Sequence, residues 1–424
     1  MNRPRLMLFR FCLYGFLKNQ QYYDPFLVLI FLQKGLSFAE IGILIAFRAI
    51  CINLTEIPAG AVADVLGRRR SMIVSFLAYI GSFLVFGLCN PLWTLFAAML
   101  LFAVGEAFRT GTHKAMIFDW LQRQGRLDER TTVYGRTRSW SKLGSATSAV
   151  IAAAVVFVIP PKQLSIVFLV CIVPYLAAIV NFLGYPAYLD GPRSDASHRE
   201  RSVLKTLFAA VSQSFRHRSL RRMLVESMGY EGLFQSSKDY VQPVLAAACI
   251  SLPMLLGLDE HRRVAVGIGA VYFALHLLGS FASRGAGRLA AAAGSEQRSA
   301  RLLWWMDLAV FGLMAAGILA GLWTLVIGAF VLLAVLQNLW RPILVGRVAS
   351  QADAAQTATV LSIESQAKSL FVAAVAPPLG WSIDLIASGG NAELQFLPVA
   401  ALGIAISMLM LLTGPQSRDR WSRP

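Results

Sequence analysis

Apolar runs of about 20 residues, long enough to cross a bilayer as an α-helix, recur along the whole chain. Of its 424 residues, 56% are hydrophobic and 15% charged, and the mean hydropathy is +0.59. That is too apolar for a soluble protein, so the chain is expected to be an all-α polytopic membrane protein. Twelve transmembrane helices can be placed. The first half gives 6–33, 37–62, 71–90, 92–119, 138–160 and 164–186. The second gives 222–250, 263–284, 301–321, 323–346, 357–386 and 394–414. Between them lies a polar, basic linker, 187–221, whose spacing from Val203 to Phe215 predicts an amphipathic helix along the membrane surface. The expected domains are therefore 1–186, the linker 187–221, and 222–424 with a short basic tail.

A net charge of +16 would point to nucleic acid in a soluble protein, but here the basic residues cluster in short loops. Arg68–Arg70, Arg123, Arg126, Arg130, Arg136, Arg138, the linker, Arg284, Arg288, Arg298, Arg418, Arg420 and Arg423 fall on one side. Lys34, Lys162, Arg262 and Arg263 fall on the other. This bias places both termini and the linker in the cytoplasm, with the chain in the cytoplasmic (inner) membrane, and no nucleic-acid partner is expected. The five cysteines are scattered singly, without the spacing of a disulfide or zinc framework. Arg3, Arg5 and Arg10 imitate the start of a signal peptide, but Lys18 and Asp24 interrupt the apolar run, so an uncleaved first helix is expected. No phosphate-binding Gly-x-x-x-x-Gly-Lys-Ser/Thr loop, metal-ligand cluster or nucleophile–base spacing stands out, so neither an enzyme nor a bound cofactor or metal is expected.

Ionisable side chains at mid-bilayer are costly, and they normally face a partner or a wet cavity. Lys18-Asn19-Gln20-Gln21-Tyr22-Tyr23-Asp24, closed by Pro25, is a poor lipid-facing helix and a good cavity lining with a kink. The alternative is a structural plug bonded to neighbouring helices. Asp24 is a candidate proton carrier. Arg48 and Glu56 on the second helix are eight residues apart, about 12 Å, too far to pair. Arg48 is assigned to the cavity; Glu56 stays open between a structural cap and proton exchange. On the fourth helix Glu106, Arg109 and His113 fall at i, i+3 and i+7, within about 60° of one face. They would pass a proton and bind an anion in alternation, or Glu106 and Arg109 would simply neutralise each other. Lys142 on the fifth helix is a further candidate. In the second half the candidates are Glu231, Lys238, Asp239, Arg341, and the i, i+4 pair Glu364 and Lys368. His276 is assigned to packing, and Asp307, after Trp304-Trp305, to the interface.

One stretch goes further. Gly60-Ala61-Val62-Ala63-Asp64-Val65-Leu66-Gly67-Arg68-Arg69-Arg70 is expected to form a tight polar turn between two helices. It resembles the loop between helices 2 and 3 of the major facilitator superfamily, Gly-x-Leu-Ala-Asp-Arg-x-Gly-Arg-Arg, at Gly60, Asp64, Gly67, Arg68 and Arg69. Val62 and Val65 depart from that pattern, the second where a basic residue is usual. The resemblance implies two pseudo-symmetric six-helix bundles and a secondary transporter working by alternating access. It also implies a conformational latch from Gly60, Asp64, Gly67, Arg68 and Asp119, with Asp119 pairing Arg68. A faint internal repeat agrees, Gly105-Glu106-Ala107-Phe108-Arg109 against Gln337-Asn338-Leu339-Trp340-Arg341-Pro342, with Ser283–Arg288 as a degraded echo of the loop. The expected partners are a small solute, protons and the lipid bilayer, with a monomer as the default. The surplus of buried cations favours an anionic or zwitterionic solute. Efflux is tilted toward by Glu56-Ile57-Pro58-Ala59-Gly60, which resembles that of bacterial exporters, although the fifth helix lacks the Gly-Pro-rich motif of drug antiporters. Proton-coupled uptake of an organic anion, a sensor that has lost turnover, and a channel or lipid translocase remain as alternatives.

Overall fold

The computed structural model describes residues 3–190, 218–250, 257–350 and 354–413. The linker's amphipathic segment and the Asp64 side chain lie outside what it describes. Among the described residues every regular element is helical. The α-helices, in chain order, are α1 Arg3–Lys18, α2 Leu27–Gln33, α3 Phe38–Leu66, α4 Arg68–Leu88, α5 Leu92–Arg109, α6 Thr112–Arg123, α7 Arg130–Val158 and α8 Ile166–Leu183. They continue as α9 Arg218–Ser237, α10 Val241–Ile250, α11 Glu260–Ala293, α12 Glu296–Leu319, α13 Trp323–Ala349, α14 Ala354–Ser388 and α15 Leu397–Leu412.

Among the described residues, ten stretches are long and apolar enough to cross a membrane. The two of the twelve expected helices not among them are the first and the seventh, and both are broken at charged residues. The first stops at Lys18 and resumes through a 3-10 turn, Asp24–Phe26. The seventh is interrupted by the 3-10 turn Lys238–Tyr240. The first break is held by side-chain amides: Asn19 donates to the Gly15 carbonyl (2.6 Å) and Gln20 to the Gly144 carbonyl of α7 (3.2 Å). Backbone groups freed at membrane depth are thus paired inside the protein. The fourth helix is also interrupted, because Gly111 takes φ +78° between α5 and α6.

The described residues pack as two compact units. One holds α1 to α8 with residues 245–250 and 257–277; the other holds 218–244 with 278–350 and 354–413. Lipid tails are as apolar as leucine, so helices associate through close packing and interhelical hydrogen bonds rather than hydrophobic burial. In the first unit Ser75 and Ser82 of α4 donate to the Gly105 and Ala98 carbonyls of α5 (2.5 and 2.8 Å). Any side chain at Gly105 would meet the Ser75 carbonyl at 3.0 Å. Fully buried Phe76, Tyr79, Phe83 and Tyr175 fill the space behind that seam. In the second unit Gly403 of α15 lies against the Phe311 ring of α12, with no room for a side chain.

Two loop expectations change. The turn expected across Gly60–Arg70 is a single residue, Gly67 (φ 89°, ψ 145°), because α3 runs on through Gly60 to Leu66. Gly60 is helical, with no neighbour close enough to demand glycine. Likewise Ser283–Arg288 belongs to α11, which runs to Ala293, where alanine-rich sequence favours helix.

Candidate functional site

The break at Gly111 decides the geometry of the first unit. Spacings of i, i+3 and i+7 share a face only along a continuous helix, so Glu106, Arg109 and His113 do not stack as expected. Glu106 and Arg109 form an ion pair in the last turn of α5. Tyr79 of α4 donates its hydroxyl to Glu106 and accepts from Arg109 Nε at 3.3 Å. Lys18, at the end of α1, lies within charge range of both. His113, on α6, is buried among aromatics instead: its ring is 3.8 Å from Tyr14 and 5.5 Å from Phe11, and Nε2 is 3.5 Å from the Tyr185 hydroxyl.

Other first-unit candidates scatter. Arg48 sits over the Phe102 ring, 5.6 Å from its centroid. Glu56 is half-buried on α3 and makes no ion pair among the described residues. Lys142 is exposed on α7 rather than buried. Tyr22 is buried, whereas Gln21 and Asp24 line a small polar cavity with Asn19, Ser145, Ser148 and His276. His276, assigned to packing, is therefore part of a polar lining.

The second unit gathers four candidates into one cluster. Arg341 Nη1 of α13 donates to Glu231 Oε1 of α9 (2.9 Å) and Glu364 Oε2 of α14 (2.7 Å). Lys368 Nζ reaches Glu231 Oε2 (3.1 Å), and Ser227 donates to Glu364 Oε1 (2.8 Å). Glu364 and Lys368, one helical turn apart, thus pair across helices and not with each other. Burial is asymmetric: the Glu231 and Glu364 side chains are 4% and 1% exposed, those of Arg341 and Lys368 41% and 25%. The cations stand in front and the carboxylates behind. Lys238 pairs with its neighbour Asp239 at 2.6 Å on the break in the seventh helix.

At the Gly67 turn, Arg68 Nη1 lies 4.0 Å from Asp119 Oδ2, while Asp119 Oδ1 takes Arg123 at 3.2 Å. Asp190, which the sequence places in the linker, belongs to this turn. Its carboxylate accepts from the Arg69 backbone N–H (3.0 Å), satisfying a free donor at the start of α4, and Arg69 Nη1 donates to the Tyr185 carbonyl (3.1 Å). Arg347, 3% exposed, is a further buried charge: it holds Glu226 and Gln297 (both 2.7 Å) while Arg222 takes the other oxygen of Glu226 (2.7 Å). Nothing in the sequence marks Arg347 as buried, since it lies one residue past the expected end of its helix. Asp307, assigned to the interface, is 5% exposed in the middle of α12 and accepts from Ser407 Oγ at 3.0 Å.

Helical units of membrane-spanning length, with buried charge clusters on broken or kinked helices, define a polytopic transport-type membrane protein. The sequence matches the family model described as Major Facilitator Superfamily over residues 7–377, and the chain belongs to that superfamily. Solved structures share the fold. The nucleoside transporter NupG superposes with TM-score 0.75 at 11% identity, covering 98% of this chain and 100% of that one. A POT family transporter in complex with 5-aminolevulinic acid gives 0.70 at 16% identity, covering 96% and 95%. A peptide transporter POT in complex with sulfate gives 0.68 at 11%, covering 96% and 93%. No curated protein matches the sequence.

Proposed function

We propose that the chain is a secondary active transporter of a small anionic or zwitterionic solute, coupled to protons and working by alternating access of the halves 1–186 and 222–424. The carrying observation is the cluster Arg341–Glu231–Lys368–Glu364, with its cations accessible and its carboxylates buried. A solute carboxylate approaching Arg341 or Lys368 meets positive charge first. It binds well only by displacing Glu231 or Glu364 from its partner. A buried carboxylate that loses its cation is costly, and proton uptake relieves that cost. Solute and proton then arrive together or exchange, depending on which half-cycle releases the acid. Lys18, Glu106 and Arg109 form a second charged group with one surplus positive charge, in which the acid is the more exposed partner of the ion pair.

The complex of a POT family transporter with 5-aminolevulinic acid supports a zwitterionic solute, since that ligand carries both an amine and a carboxylate. Efflux across the inner membrane, with cytoplasmic termini and a monomeric protein, completes the reading. The alternatives are uptake of an organic anion and a sensor without turnover. The test is reconstitution in liposomes with an imposed pH gradient and pools of small zwitterions and anions. Gradient-driven flux that disappears in Arg341→Met and Glu364→Gln supports the reading. Ligands that shift the melting temperature without any flux would replace it with the sensor.

A further inference from the structure

We propose that the interruption of the first span builds a binding site for a small hard cation, Na⁺, lined by Asp24, Asn19 and Gln21 of that break with Ser145 and Ser148 of α7. These residues, with Pro25, Ala149 and His276, line one cavity of about 40 Å³ within the first unit. A water needs about 10–15 Å³ of such volume, so the cavity has room for roughly three waters or a partly hydrated small ion.

The lining is chemically specific. It offers one carboxylate, two side-chain amides and two hydroxyls beside the His276 imidazole, an oxygen-rich set of the kind hard cations take. A single carboxylate balances a single positive charge. Among the described residues no group of three or more His, Cys, Asp or Glu comes together, which sets this site apart from a zinc or calcium centre.

Two observations show that the site is built toward something. Asn19 turns its amide N–H to the Gly15 carbonyl (2.6 Å), which leaves its oxygen on the side of Ser145 Oγ, 3.5 Å away. Ser148 is 4% exposed, and its hydroxyl, buried on the cavity wall, has no hydrogen-bond partner among the described residues. A buried hydroxyl without a partner is a rare and costly feature that a bound ion removes. Broken transmembrane helices are also where transporters expose backbone and side-chain oxygens to ions.

The experiment uses the purified full-length chain in detergent. Thermal unfolding is followed as NaCl replaces choline chloride or KCl at constant ionic strength, and binding of ²²Na⁺ is measured directly. Saturable stabilisation by Na⁺, absent with K⁺ and choline, is expected. Asp24→Asn should abolish it, and Ser148→Ala should raise the half-saturating Na⁺ concentration about tenfold. Equal responses to all three cations overturn the site. So does an unchanged Na⁺ response in Ser148→Ala, which decides the matter even where Asp24→Asn fails to fold. The site is read out by binding alone, and only its use in coupling rests on the transporter reading. Flux without a Na⁺ response removes the site and keeps the transporter; a Na⁺ response without flux does the reverse.

Discussion

Arg341 Nη1 lies 2.7 Å from Glu364 Oε2, and the same nitrogen lies 2.9 Å from Glu231 Oε1, so one guanidinium nitrogen ties α9, α13 and α14 together. Glu231 keeps a second cation in Lys368, whereas Glu364, among the described residues, keeps only the Ser227 hydroxyl if the arginine is lost. Removing one partner of a buried pair costs about 3–5 kcal/mol, and the 41% exposure of Arg341 puts this case at the lower end. Arg341→Met should therefore lower the melting temperature clearly, and Glu364→Gln added to it should restore part of the loss. A thermal double-mutant cycle in detergent checks this, with a coupling of about 0.5–3 kcal/mol expected for neighbours of this kind. Strictly additive losses would show that the two residues do not share an interaction.

The Glu106–Arg109–Tyr79 group makes a different prediction, because Tyr79 both donates to the acid and accepts from the guanidinium. Tyr79→Phe removes both hydrogen bonds and leaves the ion pair in place, at a cost of about 1.5–3 kcal/mol for bonds to charged groups. Flux should continue in this variant with an altered pH profile. Glu106→Gln should break the dependence on the pH gradient while solute still equilibrates. Gradient-driven accumulation that survives Glu106→Gln would take the coupling proton away from this acid.

Much of this was legible in the chain, and the failures share one cause. Hydropathy located the helices because each apolar run has to reach across the bilayer, and Pro25 flagged the interruption of the first. Which charges would meet was legible only where pairing is local, as for Glu106 and Arg109. Glu364 and Lys368 had the right spacing to pair, yet each found a better-placed partner on another helix. Gly111 is inconspicuous in the sequence because a lone glycine inside a helical pattern is ordinarily tolerated, and only its positive φ reveals the break that sends His113 among the aromatics. Asp190 looked like linker, because nothing in its own neighbourhood shows an α4 terminus 121 residues earlier in the chain.

That last contact predicts how the Gly67 turn fails. Gly67 holds φ 89° and ψ 145°, a region that side chains avoid, and a Cβ there would meet Asp190 at 3.0 Å. Gly67→Ala should destabilise by about 1–3 kcal/mol through backbone strain. Asp190→Ala should cost about 1 kcal/mol through loss of the cap on Arg69 N–H, and Asp190→Asn much less, because asparagine caps nearly as well. Melting temperatures of the three variants rank them. A Gly67→Ala protein as stable as the parent would mean that the turn has another conformation open to it.

Asp307 calls for the opposite kind of substitution. Its carboxylate lies inside the second unit with Ser407 as its hydrogen-bond donor and no salt-bridge partner among the described residues. Tyr230 lies within charge range and stacks on Trp340 at 4.1 Å, so the surroundings are aromatic rather than cationic. A buried acid in such a place costs stability unless a function needs it, and asparagine keeps the acceptor for Ser407 while removing the charge. Asp307→Asn should therefore leave the melting temperature unchanged or raise it. Ser407→Ala should lower it, at a stability cost of about 1–3 kcal/mol, because it strips the acid of its donor. If Asp307→Asn keeps its stability and loses gradient-driven flux, the carboxyl serves the transport cycle. If it keeps both, Asp307 is a packing residue whose acid the fold merely tolerates.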